Sequence, residues 1–495
     1  MKYVMGIDLG TSSTKALLTD LAGHEAGVGH GSYPIRIPQA SWAEQDPECW
    51  MKAVKQAVAG ALRDAGLKGE DVLGIGFSGQ MHGVVALDKE KNLLGPAVIH
   101  LDQRAAEDLP DLREAAGNLM KEQLLNQPSA GMMISTLYWM KRHRPEIYDR
   151  IRYVLSPKDY IRFRLSGELG TDVTDAGATL AFSVRERRWC TELFTRLGLY
   201  SDIWMPVHES FEPAGSVTRQ AAAETGLAEG TPVVYGAGDS MAALTGNGVV
   251  EKGTMACNIG TASQLAAVED RPVFDRSMRI QTWCHTVPGH WVVQSGALNG
   301  GSTLSWLRDS VLRDTKPFSE LDREAGEIPA GAEGLLFIPY LAGERTPYND
   351  PYARGVFFGL GMHHEQGHLI RAVMEGVLYN LKECLKIYSE MHVSCQKLIA
   401  SGGAARSVTW KQIQADMLDQ PVYSTEVREE ACQGAAVLAA VGNGVYRDIR
   451  EACGAMVRMS DRVVEPIPGN VRLYDEKLQL FHDLYAQLRD MYRRI

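Results

Sequence analysis

Along the chain, short apolar runs alternate with longer amphipathic stretches, the pattern of sheets covered by helices. Two of the apolar runs resemble each other. Met5-Gly-Ile-Asp-Leu-Gly-Thr-Ser-Ser-Thr-Lys-Ala-Leu-Leu-Thr-Asp20 lies over Met255-Ala-Cys-Asn-Ile-Gly-Thr-Ala-Ser-Gln-Leu-Ala-Ala-Val-Glu-Asp270 without a gap, at an offset of 250. Met5, Gly10, Thr11, Ser13, Ala16 and Asp20 recur as Met255, Gly260, Thr261, Ser263, Ala266 and Asp270. Each copy predicts a β-hairpin: an apolar strand, a Gly-Thr turn and a second strand. A weaker echo joins Ile75-Gly-Phe-Ser-Gly79 to Leu398-Ile-Ala-Ser-Gly402, two short β-type runs closed by Ser-Gly.

Between these anchors, Asp46-Pro47 opens a helix with a capping side chain and proline at its first position. Trp50, Val54, Ala57, Val58, Ala61 and Leu62 follow at helical spacing, up to Gly66. Residues 72–77, 84–87 and 356–360 read as strands, and 368–391 and 473–494 as long helices. The apolar faces of those two helices suit a core or a homodimer interface equally well. The class is α/β. No Pro/Gly/Ser linker marks a boundary, so the repeat places the seam, dividing the chain into residues 1–244 and 245–495.

Composition narrows the function classes. A chain of 495 residues with 45% hydrophobic and 23% charged positions is neither disordered nor fibrous. Its formal charge of −10 gives no footprint for nucleic acid. No run of 18 apolar residues suggests a membrane span, and the opening segment is charged too early for a signal peptide. The eight cysteines form no C-x-x-C pair and read as reduced, mostly buried thiols of a cytoplasmic protein. Glycine is in excess, 49 of 495, which suits tight turns or close approach to a ligand.

Two familiar spacings do not carry their usual chemistry. Gly74-Ile-Gly-Phe-Ser-Gly79 spells a dinucleotide fingerprint, but a turn and a strand follow it where a helix is required. His364-Glu-Gln-Gly-His368 spells a zinc-protease motif, but Gly367 interrupts it directly after a strand, which predicts a loop entering a helix. A phosphate loop of the Walker type is absent.

The hairpin tips offer another way to hold phosphate. Glycines and hydroxyls at a turn can aim several backbone N–H groups at one anion. Asp8, beside the first turn, can orient water on a magnesium ion shared with those phosphates, or simply cap its own turn. The second copy has Asn258 there, so only one half carries the charge. A further apolar strand, Val233-Val-Tyr-Gly-Ala-Gly-Asp239, presents an aspartate at its carboxyl end. Such a carboxylate can accept a proton from an attacking hydroxyl, cap the following helix, or do both.

These residues resemble the FGGY carbohydrate kinases of the actin-like ATPase superfamily, from Gly6 to about Gly444. Gly355-Val-Phe-Phe-Gly-Leu360, seven residues, then His368-Leu-Ile-Arg-Ala-Val-Met-Glu375 are similar to the family's carboxyl-terminal signature. Gly79-Gln-Met-His-Gly83, Trp283-Cys-His-Thr-Val-Pro-Gly289 and Pro339-Tyr-Leu-Ala-Gly-Glu-Arg-Thr-Pro347 are similar to the subgroup acting on the ketopentose D-xylulose. The resemblance implies two ribonuclease-H-like domains flanking a hinged cleft, the first for sugar and phosphate and the second for nucleotide. It implies ATP and Mg²⁺, transfer of the γ-phosphoryl to the sugar's terminal hydroxyl, and Asp239 as catalytic base. Gln80, Met81 and His82 are then expected at the sugar, with Asp8 serving the metal. Thr11, Ser12, Ser13, Lys15, Gly260 and Thr261 are expected at the phosphates, with Gly402, Gly403 and Ala404 bordering adenine.

Two departures bear on the sugar: His100-Leu-Asp-Gln-Arg104 replaces a Trp-x-Asp-x-Arg pattern, and Thr136 stands where a lysine precedes Trp139. Other acceptors such as gluconate, ribulose or glycerol stay open. So does a different class, an actin-like or chaperone-type ATPase without sugar dependence, and a catalytically silent sugar sensor.

Overall fold

The computed structural model describes residues 2–495; Met1, part of the charged opening, lies outside them. In the first half the elements that matter are β1 (Tyr3–Leu9), β2 (Ser13–Asp20), β3 (Glu25–Ser32), α1 (Pro47–Ala65), β4 (Val72–Gly79), α2 (Pro157–Ser166) and α3 (Val173–Ala178). Then come β5 (Pro213–Ser216), β6 (Pro232–Val234), β7 (Ala237–Gly238) and α4 (Asp239–Gly246). The second half contributes β8 (Thr254–Ile259), β9 (Ser263–Glu269), β10 (Gln281–Cys284), β11 (Trp291–Ala297), α5 (Gln366–Glu390) and β12 (Lys397–Ser401). Last are α6 (Val408–Leu418), β13 (Val422–Ser424), α7 (Glu430–Gly442) and α8 (Pro468–Tyr492).

The strands form two mixed sheets, ordered β5-β6-β4-β1-β2-β3, with β7 also on β4, and β10-β11-β9-β8-β12-β13. In each, the hairpin predicted from the repeat sits at the centre and its first strand runs parallel to the strand of the weaker echo. Asp8 lies opposite Ser78, and Asn258 opposite Ser401, the same place in both sheets. The hairpins differ in one respect. Gly10 N–H bonds Ser13 C=O, whereas Gly260 N–H bonds Ala262 C=O, a turn shorter by a residue. Asp8 therefore faces Lys15, but Asn258 faces Gln264 rather than Leu265. Since strand faces alternate, the slip puts Gln264 where Lys15 stands and sends Leu265 into the core.

Alternation also builds three cores. Met5, Ile7 and Leu9 of β1 point outward onto Trp50, Val54 and Ala57 of α1. Met255, Cys257 and Ile259 of β8 point outward onto the helices α5, α6 and α8. Val4 and Ala256 point the other way, into a shared central core with Ala242 of α4 and Val437 of α7. Helix α1 begins at the predicted Asp46 cap, whose carboxylate accepts Glu48 N–H, and ends at a left-handed Gly66. Helix α8 starts five residues earlier than its apolar period indicates, because Pro468 suits a first turn. Its buried Tyr474, Phe481 and Tyr485, and nearly all of α5, are spent on the outer core of the second sheet.

The zinc-like motif forms the predicted loop and helix start. His368 Nδ1 accepts the Glu365 N–H and His364 Nδ1 the Gly361 N–H, so both rings carry their proton on Nε2 and have no lone pair there for a metal. The fingerprint-like glycines lie within β4 and its end, followed by a turn and the strand Val85–Leu87. All eight cysteines are free. No helix among the described residues is long and apolar enough to cross a membrane.

All strands of the first sheet precede residue 239 and those of the second follow residue 253, yet α7 crosses that division. It lies backbone to backbone against β1 and α4. A Cβ on Gly6 would stand 1.8 Å from Cys432 C=O, and one on Gly434 would stand 1.8 Å from Ala242 C=O. Gly434→Ala therefore forces α7 and α4 apart. It is expected to lower stability by about 3 kcal/mol, at the upper end of overpacking costs, as measured by urea denaturation. A loss below about 0.5 kcal/mol, the scale of an ordinary surface substitution, would show that the helices can shift freely.

Candidate active site

A cavity of about 860 Å³ opens between the two sheets, bounded by both halves of the chain. From the first half, Asp8, Lys15, Met81, His82 and Asp239 line it; from the second, Gly402 and Gly403. Parallel pairing of β7 with β4 aligns Gly238 with Gly79, and that of β1 with β4 aligns Asp8 with Ser78. Three strand ends thus bring Asp8, the Met81-His82 turn and Asp239 to one place.

Ser78 Oγ donates to Asp8 at 2.7 Å. Burial nevertheless pushes the Asp8 carboxyl up, against the pull of Ser78 and Lys15. The Lys15 ammonium, 2.5 Å from Glu429, is held above its ordinary value by that carboxylate despite desolvation. Asp239 is the first residue of α4 and accepts Ser240 N–H at 2.7 Å, while Gly238 takes the capping position. Loss of water deep in the cleft, reinforced by the Asp8 charge, raises Asp239 from 3.8 to about 7.

The loop beside it holds two predicted residues. Met81 packs onto Gly238, where an added Cβ would come within 2.6 Å of its Cγ. His82 adopts a left-handed backbone, φ 71°, and its Nδ1–H donates to Ala178 C=O at 2.6 Å. Burial and the nearby Arg345 lower its pKa, so the ring is neutral and presents Nε2 as an acceptor. Gln80 is buried outside the cavity lining, with its amide on Gln45 at 2.9 Å. Thr11, Ser12 and Ser13 form the first hairpin tip, also outside that lining. Thr11 C=O accepts from Gln45 and Ser12 C=O from Tyr33 N–H.

Gly260, Thr261, Gly403 and Ala404 line a second cavity of about 640 Å³. Its walls include Leu304, Phe318, Met374 and Trp410, an apolar slot fit for a flat ring, and it shares Gly403 and Arg406 with the first cavity. Glu430 at the start of α7 accepts Gly402 N–H at 3.0 Å.

Sequence reasoning missed most of the second half's wall. Gln281 and Gln294 are cross-strand partners, and Gln264 stands diagonal to Gln294, which donates to it at 2.5 Å. Gln294 also donates to Ser240 at 3.2 Å, a direct bond across the cleft. Trp283 lies 5.8 Å from the His82 ring, and His100, lowered by burial to about 4, is a further neutral imidazole. The usable signal was a single glutamine in each of three largely apolar strands.

The donor set at the centre suits magnesium: two carboxylates, Asp8 and Asp239, each disfavoured as an anion until a cation arrives, with room for waters and phosphate oxygens. A second acidic group, Asp159, Asp172 and Asp175, is different, because the Lys158 ammonium already sits 2.6, 3.0 and 3.3 Å from the three.

The fold and this cleft define a sugar kinase of the ribonuclease-H-like, actin-like class. Residues 3–246 match the N-terminal domain of the FGGY family of carbohydrate kinases and residues 255–442 its C-terminal domain; the chain belongs to that family. It is 32% identical to the xylulose kinase of Bacillus subtilis over 491 residues, 99% of this chain and 98% of that one. It is also 31% identical to the gluconokinase of the same organism, over 100% and 97% of the two chains. A solved xylulose kinase from Lactobacillus acidophilus superimposes with a TM-score of 0.92 at 25% identity, covering 100% of both chains.

The Asp239 shift carries a sign for stability. Between pH 3.8 and about 7 the folded chain keeps a proton that the unfolded chain has released, so this group lowers stability as pH rises through that window. Asp239→Asn is expected to be more stable than the native chain above pH 7, by on the order of 1–3 kcal/mol, with the difference vanishing toward pH 4. Urea denaturation across that range reads it; parallel curves would mean that Asp239 ionises as freely as an exposed aspartate.

Proposed function

We propose that the protein transfers the γ-phosphoryl of ATP to the terminal hydroxyl of D-xylulose, giving D-xylulose 5-phosphate, in a cytoplasmic compartment that keeps its thiols reduced. The observation that carries this reading is Asp239: a carboxyl tuned to about 7, in a cavity bounded by both halves and continuous with an apolar slot. A base of that strength is half-ionised near neutral pH and can take a hydroxyl proton as attack proceeds. Adenine fits the slot beside Phe318, Trp410, Gly403 and Ala404. Its phosphates then extend past Gly260, Thr261 and Gly402 toward the first hairpin, where Lys15 supplies a cation. Magnesium, when bound, neutralises developing phosphoryl charge, and Asp8 is the side chain placed to hold its waters.

The sugar's place is at Met81 and His82. Neutral His82 accepts a hydrogen bond from one hydroxyl through Nε2, and the Gln264, Gln281 and Gln294 amides offer donors and acceptors to others. An uncharged polyhydroxy chain suits such a wall. The bond from Gln294 to Ser240 ties the halves beside Asp239 and helps keep out water, the competing acceptor. A second reading, a sugar acid such as gluconate, is favoured by Arg345, whose guanidinium faces this region, and by the gluconokinase relative.

A coupled ADP-release assay over D-xylulose, ribulose, glycerol and gluconate separates these readings. D-Xylulose is expected to give the highest kcat/KM. Gluconate in first place would establish the second reading, and ATP turnover indifferent to every sugar would remove both. In the same assay Asp239→Asn is expected to lose about 10²–10⁴ in kcat while still binding sugar. Near-native turnover would show that another group takes the proton.

A further inference from the structure

Behind Asp239 lies a fully buried ionic cluster that touches neither cavity. The side chains of Lys158, Asp159 and Asp172 are 0% exposed. The Lys158 ammonium donates to Asp159 and also to Tyr235 C=O at 3.0 Å. Asp172 Oδ1 receives Thr174 N–H at 2.8 Å, Thr174 Oγ–H at 2.5 Å and Ser210 Oγ–H at 3.2 Å. The Thr174 hydroxyl in turn accepts Gly238 N–H at 2.8 Å, and Ser210 C=O accepts Gly236 N–H at 2.8 Å.

We propose that this cluster is a positioning device for Asp239, with Thr174 and Asp172 as its working contacts. In the run before Asp239, Ala237 and Gly238 pair with β4, but the turn at Gly236 has no side chain to anchor it. Gly236 is left-handed, φ 82°, and any Cβ there would fall 2.2 Å from Phe77 C=O, so side chains are excluded. The cluster instead holds the backbone at Tyr235, Gly236 and Gly238, through a chain of Gly238 N–H to Thr174 O–H to the Asp172 carboxylate, which pairs with Lys158. Helix α3, which carries Thr174, also supplies the Ala178 carbonyl that orients His82.

Stability alone does not account for such an arrangement. Buried ion pairs often contribute no more than apolar residues of the same shape. Here Lys158 meets three carboxyls at once, and the Arg162 guanidinium stands 3.8 Å from Asp159. Ser156 Oγ lies 2.8 Å from both Asp159 and Asp175, and its single proton serves only one of them. The other contact needs a carboxyl proton, which Asp175, raised by burial, retains. A directional network of this kind holds atoms in place.

The inference rests on Asp239 as proton acceptor, and the test keeps the two apart. Native enzyme is assayed first, since absence of sugar-dependent ADP release would remove the proposed function itself. Given that activity, Thr174→Val leaves Gly238 N–H without its acceptor and is expected to lower kcat about tenfold or more, because small misplacements of a reacting group are costly. KM for sugar and for ATP should stay within about twofold, and Thr174→Ser should restore kcat to within about threefold. Ser210→Ala, a lighter change at the same carboxylate, is expected to lower kcat about threefold with the same KM pattern, and it carries the test if Thr174→Val yields no folded protein. Native kcat per folded molecule in these variants, with only the melting temperature lowered, would overturn the positioning role.

Discussion

The geometry of the site depends on one close contact, the seating of helix α7 between the two sheets. Its backbone rests on Gly6 of β1 and, through Gly434, on Ala242 of α4. The residues at its amino-terminal end face the cleft: Glu429 pairs with Lys15 of the first hairpin, and Glu430 accepts Gly402 N–H in the second half. Helix α4, held by the same contact, begins with Asp239. One helix therefore sets the spacing between Lys15, Gly402 and Asp239. A side chain at either glycine would transmit its bulk directly to those groups, since cores are close-packed and do not absorb displacement.

The sequence made the scaffold legible wherever a feature is local. The repeat exposed both hairpins, the weaker echo exposed their parallel neighbours, and Asp46-Pro47 with Gly66 marked one helix at both ends. Features that depend on register or on distant packing were hidden. Gapless superposition of residues 5–20 on 255–270 pairs Lys15 with Leu265, whereas a turn shorter by one residue makes Gln264 the counterpart. That slip hides Gln264, while Gln281 and Gln294 lie on strands outside the repeat. No motif in the sequence marks Lys158, Asp159, Arg162, Asp172 and Asp175 as neighbours; only the fold shows that they are buried together. The crossing of α7 has no sequence signal beyond small residues at Gly434, Ala435 and Ala436, which suit any tightly packed helix.

Gln80 illustrates how a motif can be right about a place and say little of a side chain's task. Its backbone leads into the Met81-His82 turn, but its amide meets Gln45, which also bonds Trp50 and Thr11 C=O. Those bonds link the first hairpin tip to the base of the loop expected to hold sugar. Thr11, Ser12 and Ser13 are placed by the same kind of backbone bracing, which fixes a tip that has no core of its own.

The duplicated halves are unequal in charge, and that inequality follows from electrostatics. Burial already discourages each carboxyl from ionising, and the Asp8 charge raises Asp239 further. A third acid at position 258 would add like charge in a region of low dielectric and drive all three toward the protonated form. Asn258 avoids this: its amide donates to Ser401 at 3.0 Å, the counterpart of the bond from Ser78 to Asp8. Burial, with the Asp8 charge added to it, is enough to bring Asp239 to about 7 and to favour a divalent cation. The second half carries no such carboxylate at that position; its Gly-Thr turn borders the apolar slot instead.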